Sequence, residues 1–239
     1  MQYKVMEILT ENALFGIIIS LLAFEAGLLI YKKTKFPLFN PLLIAIALVI
    51  SFLLVFNIDV DIYNKGGQFI NMFLGPATVV LAVPLYKQLN LLKKYLLPIL
   101  VGILLGSSIG ISSVILLANI FGFEKVLTIS LLSKSVTTPI GIEITKQLGG
   151  LAPVTVLSII ISGIIGSILG PLLCKKFKIN NKVAIGIAIG TASHAVGTTK
   201  ALELGETEGA MSSLSIGIAG IMTVFLAPTF YALLSFLIK

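Results

Sequence analysis

Apolar residues fill this chain in blocks about one membrane thickness long, and polar residues collect between them. A helix needs about 20 predominantly apolar residues to cross the hydrocarbon core of a bilayer. Blocks of that order run over Asn12–Tyr31, Leu38–Asn57, Gln68–Leu89, Tyr95–Asn119, Val126–Leu148, Ala152–Cys174, Val183–Leu204 and Gly209–Ile238. The pattern predicts an all-α polytopic membrane protein, a single transmembrane domain over residues 1–239.

Lysines orient the blocks. The loop "YKKTKFP" carries Lys32, Lys33 and Lys35 and belongs on the cytoplasmic side, which puts the N-terminus outside. The acidic loop "NIDVDIYNKGG" then lies outside, and Lys87, Lys93 and Lys94 return the chain to the inside. Two further full crossings over 126–148 and 152–174 would strand "KKFKINNK" (175–182) outside, against its four lysines. The conflict disappears if 126–148 is re-entrant, dipping in and returning to one face. Its polar centre "SKSVTTP" between two half-length apolar arms suits that shape. About seven transmembrane helices plus one re-entrant segment result. Spans 183–204 outward and 209–238 inward place the C-terminus in the cytoplasm.

Three segments share an interrupted grammar: 73–89, 131–148 and 188–204 each have an apolar arm, a Gly/Pro/Thr/Ser break and a second arm. Breaks in corresponding places of a membrane chain point to a transporter built from inverted repeats. On the orientation above, 73–89 and 188–204 form the inverted pair. A broken helix leaves free amides at the second arm's N-terminus, and these favour an anion. By contrast, "GILLGSSIG" (102–110), "GIIGSILG" (163–170) and "GIAIG" (186–190) suit small-residue helix packing.

Composition sharpens the class. The chain is 57% hydrophobic and 11% charged, with a mean hydropathy of +1.09, where soluble domains carry about 25% charged residues. The net charge of +7 resides in clusters between spans, so it gives no reason to expect nucleic acid. One cysteine and one histidine argue against a disulfide and against a zinc site. No nucleophile elbow, phosphate loop or paired-carboxylate motif appears, so neither enzymatic activity nor a cofactor is expected. Residues 1–11 lack a cleavage site, and the first span is expected to act as the start-transfer signal.

Polar groups at membrane depth mark function by default. Lys134, with Ser135, Thr137 and Thr138 beside it, needs an anion, either a substrate or a carboxylate. Glu143 offers a structural alternative across the hairpin. Thr191, Ser193, His194, Gly197 and Thr198 form a second polar cluster, and Gly75 and Thr78 sit at the break of 73–89. His194, the sole histidine, has a reference pKa near ~6.5 and is the candidate proton carrier. A neutral imidazole bonded to a carbonyl is the alternative. Lys200 and Glu203, three apart, either pair with each other or take part in coupling.

"FPLFNPLLI" (36–44), "LGPATVVLAVPLYKQ" (74–88), "KSVTTPIGIEI" (134–144) and "GTASHAVGTTKALELGETEGAMSSLSIGIAG" (190–220) resemble the LrgB/CidB family over nearly the whole chain. That resemblance implies an antiholin- or holin-like protein linked to murein hydrolase control and cell lysis. It also implies a smaller membrane partner of the LrgA/CidA type. The family includes the LrgB-like half of a plastid glycolate/glycerate exporter and bacterial members tied to pyruvate uptake. The implied cargo is therefore a small monocarboxylate of the pyruvate, lactate, glycolate and glycerate class. A multi-pass cell-membrane protein, in contact with the lipid bilayer and forming a homo-oligomer, is expected.

Overall fold

Backbone amides and carbonyls that leave water must be paired within the chain, and in a bilayer that selects helices. The computed structural model describes residues 12, 14–34, 39–73, 76, 79, 80 and 82–237, and among these there are helices and turns but no strand. The chain divides into two compact units, Met1–Val80 and Leu81–Lys239.

In the first unit α1 (Leu14–Thr34) packs against α2 (Pro41–Val55) and α3 (Val60–Met72). Small residues allow the approach. A Cβ on Gly27 would lie 2.5 Å from the Pro41 carbonyl oxygen. α2 starts at a prepared cap: Asn40 Oδ1 accepts the amides of Leu42 and Leu43 at 2.9 and 3.4 Å, and Pro41 follows it in the first turn. Asp59 caps α3 through the Asp61 amide at 3.0 Å. Ser20 and Tyr63 join α1 to α3 through their hydroxyls at 2.8 Å.

The second unit opens with two short helices, α4 (Ala82–Lys87) and α5 (Leu89–Lys94), followed by the long α6 (Leu96–Ile120). After α6 come α7 (Lys125–Leu132) and α8 (Thr138–Leu148), and these fold back on each other. Ser130 Oγ accepts the Leu151 amide at 2.7 Å, so the chain leaves α8 beside the α7 residue it had passed 21 positions earlier. Hydroxyls fasten this hairpin: Ser133 meets Thr145 at 3.3 Å, Thr145 meets Thr155 at 2.8 Å, and Thr155 donates to the Ser130 carbonyl at 2.8 Å.

α9 (Ala152–Lys176) comes next, and α10 (Lys182–Leu204) follows. α10 is broken at His194, whose backbone angles are φ 42° and ψ −137°. In a straight helix Ile189 and Gly197 would be about 12 Å apart along the axis. Instead, a Cβ on Gly197 would stand 3.1 Å from the Ile189 carbonyl oxygen. The arms 182–193 and 195–204 therefore form a second hairpin.

α11 (Glu206–Leu237) confirms the fold-back, because it lies beside both arms. Its Met211 faces Gly186 and its Ser212 faces Gly190, along the first arm. Its Gly209 faces Leu202 and its Ser212 meets Thr198 at 2.7 Å, along the second. Residues Ile99, Val183, Ala210 and Met211 form one core cluster at the end where Lys87 pairs with Glu206 at 3.3 Å. Ile115, Leu132, Ile144 and Ala227 form another toward the opposite end, where Lys125 lies over the Tyr231 ring. One hairpin thus enters from each end.

Several sequence expectations change. The sequence predicts seven full crossings, whereas four described helices are long and apolar enough: α1, α6, α9 and Glu206–Leu233 of α11. α2 has only 15 residues. The expected span 68–89 is not one helix, since α3 ends at Met72 and α4 and α5 are separate six-residue pieces. The acidic stretch expected as a loop is helical from Val60 onward. Val183–Leu204, expected to cross once, doubles back at His194, and this reverses the direction expected for the helix after it. Glu208 is buried beside Gly186 at the lysine-rich end.

The packing of α10 against α11 depends on Gly190, where a Cβ would fall 2.8 Å from Ser212 Cα and collide with the Ser212 carbonyl oxygen. Backbone cannot yield as a side chain can, so Gly190→Ala should destabilise the protein by about 1–3 kcal/mol. Gly217→Ala, where a Cβ meets nothing within 4 Å, should be close to neutral. Thermal unfolding in detergent compares them, and equal midpoints would contradict this packing.

Candidate functional site

The two hairpin tips meet at the middle of α9. At the first tip the chain leaves helical geometry after Leu132 and resumes it at Thr138, with Thr137 as N-cap and Pro139 in the first turn. Ser162 of α9 donates its hydroxyl to the Lys134 carbonyl at 2.5 Å. At the second tip His194 Nε2 lies 2.9 Å from the Ile159 carbonyl, three residues before Ser162 on α9. A carbonyl only accepts, so Nε2 carries a proton. Glycines on α9 make room: a Cβ on Gly163 would stand 2.7 Å from the His194 ring, and one on Gly166 would overlap Ser193.

Both tips border a cavity of about 820 Å³. Lys134, Ser135 and Val136 come to its wall from the first tip, Thr191 and Ala192 from the second. Its α6 wall runs from Pro98 to Ile111, about 20 Å of helix rise. At the lysine-rich end it reaches exposed Ile179 and Asn181, and at depth it stops at buried Leu132 and Ile111. It therefore extends from the lysine-rich end to the tips.

Lys134 is the charged side chain among the described residues on this wall. Its Nζ donates to Ser135 Oγ at 3.3 Å. Glu143 pairs instead with Lys146 at 3.2 Å, so the alternative of a Lys134–Glu143 pair is not formed. This half-buried ammonium lies on a mostly apolar wall with no carboxylate paired to it among the described residues, a setting that favours a negative charge beside it. The N-termini of α8 and of the arm 195–204 add partial positive charge near both tips.

The other candidates separate. Thr137 and Thr138 start α8 next to the tip but are not on the cavity wall. Thr191 Oγ1 is buried on the wall without a hydrogen-bond partner among the described residues, and Ser193 Oγ is likewise unpartnered but packs against α9. Thr198 donates to the His194 carbonyl at 2.9 Å and meets Ser212, so it braces the break and does not line the cavity. Gly197 allows the two arms to touch. Lys200 and Glu203 pair at 2.6 Å on the returning arm. Gly75 and Thr78 lie outside the described residues.

Sequence reasoning missed Ser162, Ser107 and Thr223, hydroxyls on long helices with no break beside them. Ser162 lies immediately before the packing stripe "GIIGSILG", which was the available signal. Of the three stripes, Gly163, Gly166, Gly186 and Gly190 serve packing as expected. Gly102, Gly106 and Gly110 also form cavity wall.

Residues 20–233 match the model of the LrgB-like family. The antiholin-like protein LrgB of Bacillus subtilis (strain 168) is 39% identical over 226 residues, covering 94% of this chain and 98% of the relative. The antiholin-like protein LrgB of Bacillus cereus (strain B4264) is 40% identical over 222 residues, covering 92% and 96%. No solved structure matches the chain. By both the family match and its full-length relatives, this protein belongs to the LrgB-like family.

Proposed function

We propose that the protein is a secondary transporter of small monocarboxylates, and that the cavity between the hairpin tips is its cargo site. The observation that carries this reading is the meeting of two oppositely inserted hairpins at one cavity whose wall holds Lys134 without a carboxylate partner among the described residues. A scaffold has no need of that arrangement; a carrier that must expose one anion site to two sides has. In this reading 125–148 and 182–204 are re-entrant hairpins and form the inverted pair, in place of 73–89 with 188–204. Lys134 neutralises the cargo carboxylate, and Ser135 and Thr191 offer it hydroxyl hydrogen bonds. The pyruvate, lactate, glycolate and glycerate class follows from the family resemblance.

The antiholin-like naming of the Bacillus relatives favours a second reading. In it the protein regulates murein hydrolase activity and lysis, with an LrgA/CidA-type partner or as a homo-oligomer. Uptake by the purified protein alone separates the two readings. Proteoliposomes should take up labelled pyruvate, lactate, glycolate or glycerate with saturation; no uptake of any of them would leave the regulatory reading.

With the lysine-rich end in the cytoplasm, Lys93 and Lys176 lie inside, and Glu124 and the end of α11 lie outside. In a Cys174→Ser background, cysteines at 176 and 206 should be labelled from the cytoplasm and those at 124 and 231 from outside. Cytoplasmic labelling at 231 would overturn the second hairpin.

Lys134→Ala should raise KM by about 10-fold or more, the loss expected for a hydrogen-bonded charge pair. Lys134→Arg should also be impaired, because a planar fork does not replace a compact ammonium. Wild-type kinetics in Lys134→Ala would remove this residue from the site. For His194, a proton crossing with a monocarboxylate makes transport electroneutral, so a pH gradient drives it. Glutamine still donates to the Ile159 carbonyl but cannot titrate. His194→Gln should therefore keep counterflow and lose pH-driven accumulation, whereas accumulation equal to wild type would make the imidazole structural.

A further inference from the structure

Ser162 lies on α9 where both tips dock, and its surroundings are over-subscribed. Its Oγ stands 2.5 Å from the Lys134 carbonyl and 3.1 Å from the Ile159 carbonyl, and a hydroxyl has one proton to give. The Ile159 carbonyl has two lone pairs. Helix geometry commits one to the Gly163 amide, and His194 Nε2 occupies the other at 2.9 Å. With both filled, the Ser162 proton turns outward to Lys134. If His194 withdraws, the second lone pair of the Ile159 carbonyl is freed beside its bond to the Gly163 amide, and the proton already within reach turns back to it. The Lys134 carbonyl, in a tip that has just left helical geometry, then loses its partner.

We propose that Ser162 is a positioning residue that links the two hairpin tips, holding the Lys134 tip in place only while His194 holds the Ile159 carbonyl. The link makes departure of the second tip loosen the first, so that one side of the cavity does not open independently of the other. Its meaning for transport rests on the carrier reading; the link itself does not.

The test reads the first tip directly. A cysteine at Ser135, on the cavity wall, is placed in the Cys174→Ser background, and its labelling rate is measured in detergent without cargo. Ser162→Ala should raise the rate about fivefold, the weight of one net hydrogen bond. His194→Leu, which removes the donor at the other tip, should raise it by the same factor, and the double variant by no more than either alone. Ser162→Thr and His194→Gln keep a hydroxyl and an N–H donor and should label like the parent. Multiplied effects in the double variant, or no change at 135 in His194→Leu, would overturn the link. If Ser162→Ala fails to fold, the contrast between His194→Leu and His194→Gln still decides it. Wild-type liposomes without uptake but with a non-multiplied cycle would overturn the carrier reading alone. Uptake with multiplied effects would overturn the link alone.

Discussion

A helix that stops at mid-depth frees carbonyls and amides where no lipid can pair them, and this one cost organises the second unit. Each orphaned group in such a setting costs several kcal/mol on the order of magnitude of a lost hydrogen bond in hydrocarbon. Short hydroxyl side chains meet that cost here. Ser130, Ser133, Thr145 and Thr155 stitch the first hairpin, Ser162 reaches its tip, and Thr198 with Ser212 braces the second. Serine and threonine are short enough to work between helices packed at glycine distance, which longer amides would force apart.

Glycine is the other half of the same solution. The hydroxyls reach their partners because α9, α10 and α11 approach where Gly163, Gly166, Gly186 and Gly190 face a neighbour. Without a hydrophobic drive between helices in lipid, close backbone approach supplies the contact energy. Sequence stripes of small residues and mid-depth breaks are thus two expressions of one architecture. The stripes let helices close on the tips, and the tips leave the polar surface that borders the cavity.

The first hairpin was legible because two independent signals agreed. A cluster of four lysines at 175–182 forbade an extra crossing, and "SKSVTTP" offered a polar turn at mid-depth. The second was legible as a break but not as a reversal. Its turning residue is a histidine at positive φ, a conformation sequence reasoning assigns to glycine or asparagine, and no proline marks it. Charge gave no warning either. Lys182 at one end and Glu203, Glu206 and Glu208 at the other suit a crossing, yet acidic residues carry little weight in orientation. Lys134, Ser135 and Thr191 were recoverable as cavity residues from polarity alone. Ser162 was not, because a lone serine on an apolar helix has no local pattern and gains its partners only when two distant breaks converge on it.

The strain at His194 bears on why the break sits there. A non-glycine residue at positive φ is disfavoured, and it persists only where surroundings hold it. Here three contacts do so: the ring on the Ile159 carbonyl, Thr198 on the backbone carbonyl, and α9 against the imidazole at Gly163. Glycine would turn without strain but bring no side chain to the facing helix. A histidine adds its ring to the contacts that hold the turn, so the reversal and the docking on α9 occur at one residue. The two tips therefore differ in kind. The first is a turn of several residues fixed by a ladder of hydroxyls, and the second is a one-residue reversal fixed by the imidazole with Thr198 and Ser193 packed beside it. The second tip holds α9 through the His194 ring at the Ile159 carbonyl and Ser193 at Gly166, so a change at either contact acts on the reversal itself.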